Sequence, residues 1–522
     1  MTLRRIVPLV GAALVALAGH AFAAGETAIV RDLATRVGPV IGSAQACRDI
    51  ARPRVQNIVD KFTQVIREAS SNEAERSDLT QAFERSVADG RTAVTSGRLD
   101  CIRADRQLAD LERSISGPSL SSVIGPSPAA AATAAQAATV PTANVPAAPL
   151  PRGMGEKEIR FGIAAPFSGA SRELGRQMKL GIETAFNRMN EAGGVDGRTL
   201  KLFAADDGYE PGRTLDAMKQ LYEKDQVFGI IGNVGTPTAA VAVPYSLERR
   251  MLFFGAFTGS NILRNDPPDR YVFNYRASYA QETDAAVRYL VKMRRLQPRQ
   301  IAVFAQNDSY GDAGFAGVAK AFRSMGVNDG AILRVNYPRN TVEVDEAINQ
   351  LKVAKPPIKA VVMVATYRAA ARFIEKTRDA IPGLIYSNVS FVGSTALAEE
   401  LKLLGPRYTN GVIVTQVVPA VSGYSSAVLE YKNALAKYFP GEAADYVSFE
   451  GYVAANVLIA GIKRAGPQLD TEKLIDTLET MRNLDLGLGT QLSFGRSEHQ
   501  ASNKVWGTAL DESGRYQPIE LE

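Results

Sequence analysis

From residue 158 onward the chain alternates short apolar runs with helical stretches. The runs lie at residues 159–164, 200–204, 227–231, 251–254, 301–305, 360–364 and 412–417, and the first is followed by a turn and a helix over 174–192. Strands joined by crossover helices build a parallel sheet covered on both faces. Roughly 360 residues of such units exceed one ordinary core, so two α/β lobes are expected. In open sheets of this kind ligands sit beyond the carboxyl ends of the strands. Two lobes can turn those ends toward each other across a cleft.

The preceding part of the chain is built differently. Residues 117–153 are rich in alanine, proline, serine and threonine, with prolines at 118, 126, 128, 141, 146, 149 and 151. Such a stretch buries too little apolar surface to offset chain entropy and reads as a linker. Before it, residues 24–116 carry helical stripes: Val55, Ile58, Val59, Phe62, Val65 and Ile66, then Leu79, Phe83 and Val87, then Leu108, Leu111 and Ile115. Their three-and-four spacing predicts a small helical bundle. Arg4 and Arg5, the apolar run 6–17 and Ala21-Phe22-Ala23 predict a cleaved secretory signal at residues 1–23. An exported chain is exposed to an oxidising compartment, so the only two cysteines, Cys47 and Cys101, are expected to form a disulfide tying the ends of the helical domain.

Of 522 residues, 46% are hydrophobic and 22% charged, a globular balance. The net charge of +5 is spread among interleaved acids and bases. No basic tract points to nucleic acid. His20 leaves with the signal, so His499 is the one histidine of the mature chain, and no G-x-S-x-G elbow or phosphate loop is present. These patterns argue against an enzyme and against a metal or other cofactor.

The turns after the third and fourth strands, Gly232-Asn233-Val234-Gly235-Thr236 and Gly255-Ala256-Phe257-Thr258-Gly259-Ser260, join glycine to hydroxyls just before expected helices. Glycine permits close backbone approach, and the N–H groups and hydroxyls there suit a carboxylate.

Four blocks in order and spacing carry a resemblance: Ala164-Ala165-Pro166-Phe167-Ser168-Gly169; residues 181–198 with Glu191-Ala192-Gly193-Gly194-Val195-Asp196-Gly197-Arg198; Asp206-Asp207; and Asp308-Ser309-Tyr310-Gly311. Over about residues 158–522 the chain resembles the branched-chain amino-acid (leucine/isoleucine/valine-binding) class of periplasmic solute-binding proteins. The resemblance implies a type I periplasmic-binding fold over residues 154–522: two doubly wound α/β lobes joined by a three-stranded hinge, preceded here by a small all-α domain. It also implies closure over a small-molecule solute, which is passed to an ABC permease in the inner membrane. By alignment the ligand carboxylate would meet Thr236, Ala256 and Thr258, and Tyr310 and Tyr367 match cleft tyrosines. Two positions depart from the pattern. Thr395 stands where amino-acid binders carry an acid for the α-ammonium, and Leu174 stands where many carry a tyrosine.

A neutral hydroxyl cannot replace a carboxylate opposite a buried ammonium. Glu282 or Glu450 would have to supply that charge, and Arg276 and Tyr279, at the start of the second lobe, are placed to border the cleft, where the arginine could pair with a second carboxylate of the solute. The sequence therefore points to a periplasmic binder of a small carboxylate-bearing solute. The alternative is a sensory or regulatory protein on the same bilobal fold, with a protein partner for the helical domain.

Overall fold

In the computed structural model, which describes residues 26–47, 49–70, 72–96, 99–116 and 150–521, the N-terminal segment folds as four helices. These are α1 (Glu26–Ala46), α2 (Arg52–Ala69), α3 (Glu73–Thr95) and α4 (Cys101–Ser116). Their buried stripes meet in one core containing Val37, Ile41, Phe62, Phe83 and Leu108. Gly42 of α1 lies on the backbone of Val87 and Gly90 of α3 on that of Pro39, so a side chain at either glycine would push the two helices apart. The Cys47–Cys101 disulfide joins residues 54 apart in sequence. It ties the end of α1 to the start of α4 instead of the two ends of the domain, because α1 begins well before Cys47 and α4 continues past Cys101. The expected signal peptide and the linker up to residue 149 lie outside the described residues.

The second compact unit begins after the linker. Its first sheet has the order β2-β1-β3-β4-β5 with every pair parallel, where β1 is Glu158–Ala165, β2 Thr199–Asp206, β3 Gly229–Ile231, β4 Leu252–Phe254 and β5 Val272–Phe273. The second sheet contains β6 (Ile301–Gln306), β7 (Arg334–Tyr337), β8 (Ala360–Val364), β9 (Ile385–Asn388), β10 (Ile413–Gln416), β11 (Trp506–Leu510) and β12 (Tyr516–Ile519). Its order is β12-β11-β10-β9-β8-β6-β7, with the last two strands of the chain antiparallel. The helices that position the site are α5 (Arg172–Glu191), α6 (Thr236–Glu248), α7 (Tyr279–Arg288), α8 (Ser309–Ser324), α9 (Tyr367–Ala380), α10 (Ser394–Leu404), α11 (Ser426–Tyr438), α12 (Tyr446–Ala465) and α13 (Thr471–Glu479).

All seven expected strands form. Five more do not stand out in the sequence: β5 is two residues long, and β7, β9, β11 and β12 mix polar with apolar positions. The chain passes between the sheets three times, at residues 274–278, 417–425 and 500–505, which gives the expected three-stranded hinge. These crossings are laced together. Asn274 N–H donates to the His499 carbonyl (2.7 Å), Ala501 N–H to that of Asn274 (2.8 Å), and the Tyr275 hydroxyl to that of Val417 (2.9 Å). Among the described residues no helix is long and apolar enough to cross a membrane.

Candidate functional site

The two glycine turns after β3 and β4 come together as their strand order requires. Phe257 N–H donates to the Asn233 carbonyl (2.7 Å) and Gly235 N–H to that of Phe257 (3.2 Å). Gly235 has φ 107°, and a Cβ there would strike the ring of Tyr209. Only glycine lets the turn close against that tyrosine. Thr236, the first residue of α6, and Thr258 are fully buried with their hydroxyl oxygens 2.7 Å apart, and Ala256 is buried beside them. Arg264 pins the floor from behind, donating to the carbonyls of Ser260 (2.8 Å) and Arg276 (3.0 Å) and to Gln500 Oε1 (2.5 Å).

Opposite them the second lobe presents Phe391, in the short turn between β9 and α10. Its ring centroid lies 5.1 Å from Phe257 and 6.0 Å from Tyr209 of the first lobe, and 4.6 Å from Tyr310 of the second. Tyr279 and Tyr310 are 5.3 Å apart. Five buried rings from both lobes thus make one aromatic box next to the threonine pair. The expected Tyr310 and Tyr279 belong to it. Phe391 and Tyr209 were missed as site residues because nothing near them in sequence reports what they face.

The hinge end of this box is charged. Arg276 is fully buried, with its guanidinium carbon 5.1 Å from the centre of the Phe257 ring. Its Nη2 donates to Glu282 Oε1 (2.8 Å) and to the Ser390 hydroxyl, and Nη1 lies 3.6 Å from Glu450 Oε1. Glu282 is saturated, since it also accepts from Ser390 N–H (2.8 Å) and the Thr415 hydroxyl (2.6 Å). It therefore holds the turn that carries Phe391 and is not free to take a solute ammonium. Burial pushes the Glu450 carboxyl up to about 7, against the pull of Arg276. Burial also works against the charge on Arg276, but Glu450 and Glu282 outweigh it and raise its pKa. Arg276 Nε and Nη1 have no hydrogen-bond partner in the protein. Burial pushes the Tyr279 hydroxyl, which faces Thr258, up to about 12.

Leu174, Tyr367 and Thr395 lie at the other end, around a 380 Å³ cavity that also touches Arg176, Gln177 and Asp445. The Tyr367 hydroxyl crosses between lobes to the Ala170 carbonyl (2.7 Å). Thr395 faces Asp445, whose carboxylate caps α12 by accepting from Val447 N–H (2.6 Å) and Ser448 N–H (3.1 Å). Burial raises the Asp445 pKa. On another side of the mouth Arg339 bridges Asp308 (2.9 Å) in its own lobe and Glu210 (3.0 Å) in the first, and Asn340 donates to Glu210 Oε1 (2.6 Å).

The periplasmic binding protein family model matches residues 158–515, more than two thirds of the chain. The chain belongs to that family. A crystal structure of a possible leucine/isoleucine/valine-binding protein from Rhodopirellula baltica SH 1 is 37% identical, with a TM-score of 0.67, covering 72% of this chain and 98% of that one. A Leu/Ile/Val-binding protein homolog of Brucella melitensis biotype 1 is 28% identical over 344 residues, 64% of this chain and 86% of the relative. The solute binding protein of an ABC transporter from R. palustris, solved in complex with benzoate, shares the fold at 17% identity and a TM-score of 0.59, covering 70% of this chain and 96% of that one. The family match lies within the bilobal unit and does not reach the helical one.

Proposed function

We propose that this periplasmic binding protein carries a small carboxylate-bearing solute, enclosed between its lobes, to an ABC permease in the inner membrane. The observation that supports this most is the pair of buried Arg276 donors, Nε and Nη1, that lack a hydrogen-bond partner among the described residues, together with the buried Thr236–Thr258 hydroxyl pair. A buried donor left unmet costs about 1–3 kcal/mol, which a carboxylate entering the site would recover. The aromatic box suits a flat or branched apolar body. Charge favours a solute without an α-ammonium: Glu282 is saturated, Glu450 with a pKa of about 7 is a weak partner for a cation, and Asp445, which faces Thr395, is taken up in capping α12.

The solute acts by selecting the state in which both lobes touch it. Binding and release without covalent change need no catalytic group, and the relatives are named as binding proteins. Export to the periplasm by the signal at residues 1–23 belongs to the same proposal. So does independent folding of residues 154–522, which are joined to the helical domain by an Ala/Pro-rich linker. A four-helix unit that solute carriage does not require supports a second reading, in which this domain reports the bound state to a protein partner.

A thermal-shift panel of benzoate, phenylacetate, isovalerate and hexanoate against leucine, isoleucine and valine tests the proposal. A ligand at 100 times its Kd adds about 2.7 kcal/mol of stability. Carboxylates should shift the transition more than the amino acids, and Thr258→Val should abolish the response. Tightest binding by the branched-chain amino acids would overturn the charge argument.

A further inference from the structure

Arg276 and its two carboxylates are more than the floor of the site. Around this one guanidinium stand Glu282, fully hydrogen-bonded, and Glu450, whose one ion pair among the described residues is the 3.6 Å approach to Arg276 Nη1. Both acids and the arginine are at most 4% exposed at their side chains. The network also spans the molecule, because Glu450 sits on α12, which packs on α5 of the first lobe, Arg276 on the first hinge crossing, and Glu282 on α7 of the second lobe.

We infer that solute binding is coupled to proton uptake: the solute's carboxylate docks on the free N–H groups of Arg276, and Glu450 takes a proton from solvent as it does so. This rests on the carboxylate reading above and adds its regulation. The argument is one of charge. Arg276 already faces two carboxyl groups, and a third anion brought to the same buried cluster is opposed by both. Glu282 is committed as an acceptor to Arg276, Ser390 N–H and the Thr415 hydroxyl. Glu450 has no such bonds to lose. Burial, reinforced by Glu282 and opposed by Arg276, raises its pKa to about 7, in keeping with the geometry. The charged and titratable groups around it are Arg276 and Tyr275 on the crossing, Tyr279 and Glu282 on α7, and Arg264 before β5. Apart from Glu450, none is an acid with capacity to spare.

The test is calorimetry on the full chain with whichever panel carboxylate binds tightest, over pH 6.5 to 9 and in buffers of different ionisation enthalpy. The solute stays ionised throughout. One proton per solute should be taken up near pH 8, and Kd should rise about tenfold per pH unit above pH 7. Glu450→Gln, which mimics the protonated acid, should remove both effects and bind at pH 8 as tightly as the parent protein does at pH 6.5. Carboxylate binding with no proton uptake in the parent protein, or with uptake that persists in Glu450→Gln, would overturn the inference and leave the proposed function standing. If no carboxylate binds, the proposed function falls and this inference with it.

Discussion

At the hinge end of the cleft Arg276, Glu282 and Glu450 have almost no contact with water, whereas at the mouth Arg339 and Glu210 keep 24% and 42% of their side-chain surface exposed. Both clusters join the two lobes through one arginine held by two acids, and they differ in dielectric surroundings. In the dry cluster each charge depends on its partners, and losing one leaves the others buried and uncompensated. In the wet cluster solvent replaces a lost partner at little cost. The hinge end should therefore resist change, and the mouth pair should break at little cost.

The largest expected effect is at the hinge end. Glu282→Ala leaves Arg276, Ser390 N–H and the Thr415 hydroxyl without their shared acceptor, and stability should fall by about 3–5 kcal/mol in urea unfolding. A loss no greater than that of a mouth variant would erase the distinction between the two ends.

Next comes pH. Glu450 titrates near 7 in the folded chain and near an ordinary carboxylate value when unfolded, so the folded state binds the extra proton between those values. Its contribution is fully present below the unfolded pKa and is lost as pH rises through about 7, a change on the order of 3 kcal/mol. Asp207, pushed up to about 6 chiefly by burial, changes in the same direction. Comparing unfolding of the parent protein and Glu450→Gln at pH 5 and pH 8 isolates the hinge-end share, and equal slopes for the two proteins would assign the whole effect elsewhere.

Tyr367→Phe probes the mouth by removing the hydroxyl that reaches the Ala170 carbonyl. The closed state should lose about 1 kcal/mol, which appears as solute affinity weakened by about fivefold with little change in unfolding. A stability loss as large as the affinity loss would mean that the bond holds the fold and not the closure.

Glu210→Gln should have the smallest effect, about 0.2–1 kcal/mol, and the effect should fade as salt is added. Affinity measured at low and high ionic strength checks this. A salt-independent loss would place the Glu210–Arg339 pair with the buried network.

The parts of the protein that were legible in the sequence are those whose signal is local. The apolar runs that became β1, β6 and β8 are continuous because both faces of a parallel strand are covered, and the helical stripes of residues 55–111 mark one buried face each. Thr236 and Thr258 were singled out because they lie in glycine turns after strands, where open sheets place ligands, and because the family resemblance aligns them with carboxylate-binding positions. Short polar strands such as β9 were not readable, since their pairing depends on neighbours distant in the chain.

What only the tertiary structure decided is the charge and shape of the site. Glu282 meets Ser390 across 108 residues and Thr415 across 133, and Phe391 reaches Phe257 from the other lobe. The family resemblance put Thr395 where amino-acid binders carry an acid, and the sequence named Glu282, Glu450 and Arg276 as unplaced charges. It could not assign them, because the state of a buried ion depends on every group that surrounds it, and those groups are assembled by the packing of separate elements. Folding brought one acid into saturation and left the other nearly bare. It also buried Arg276 beside an aromatic box, with Nε and Nη1 lacking a hydrogen-bond partner among the described residues.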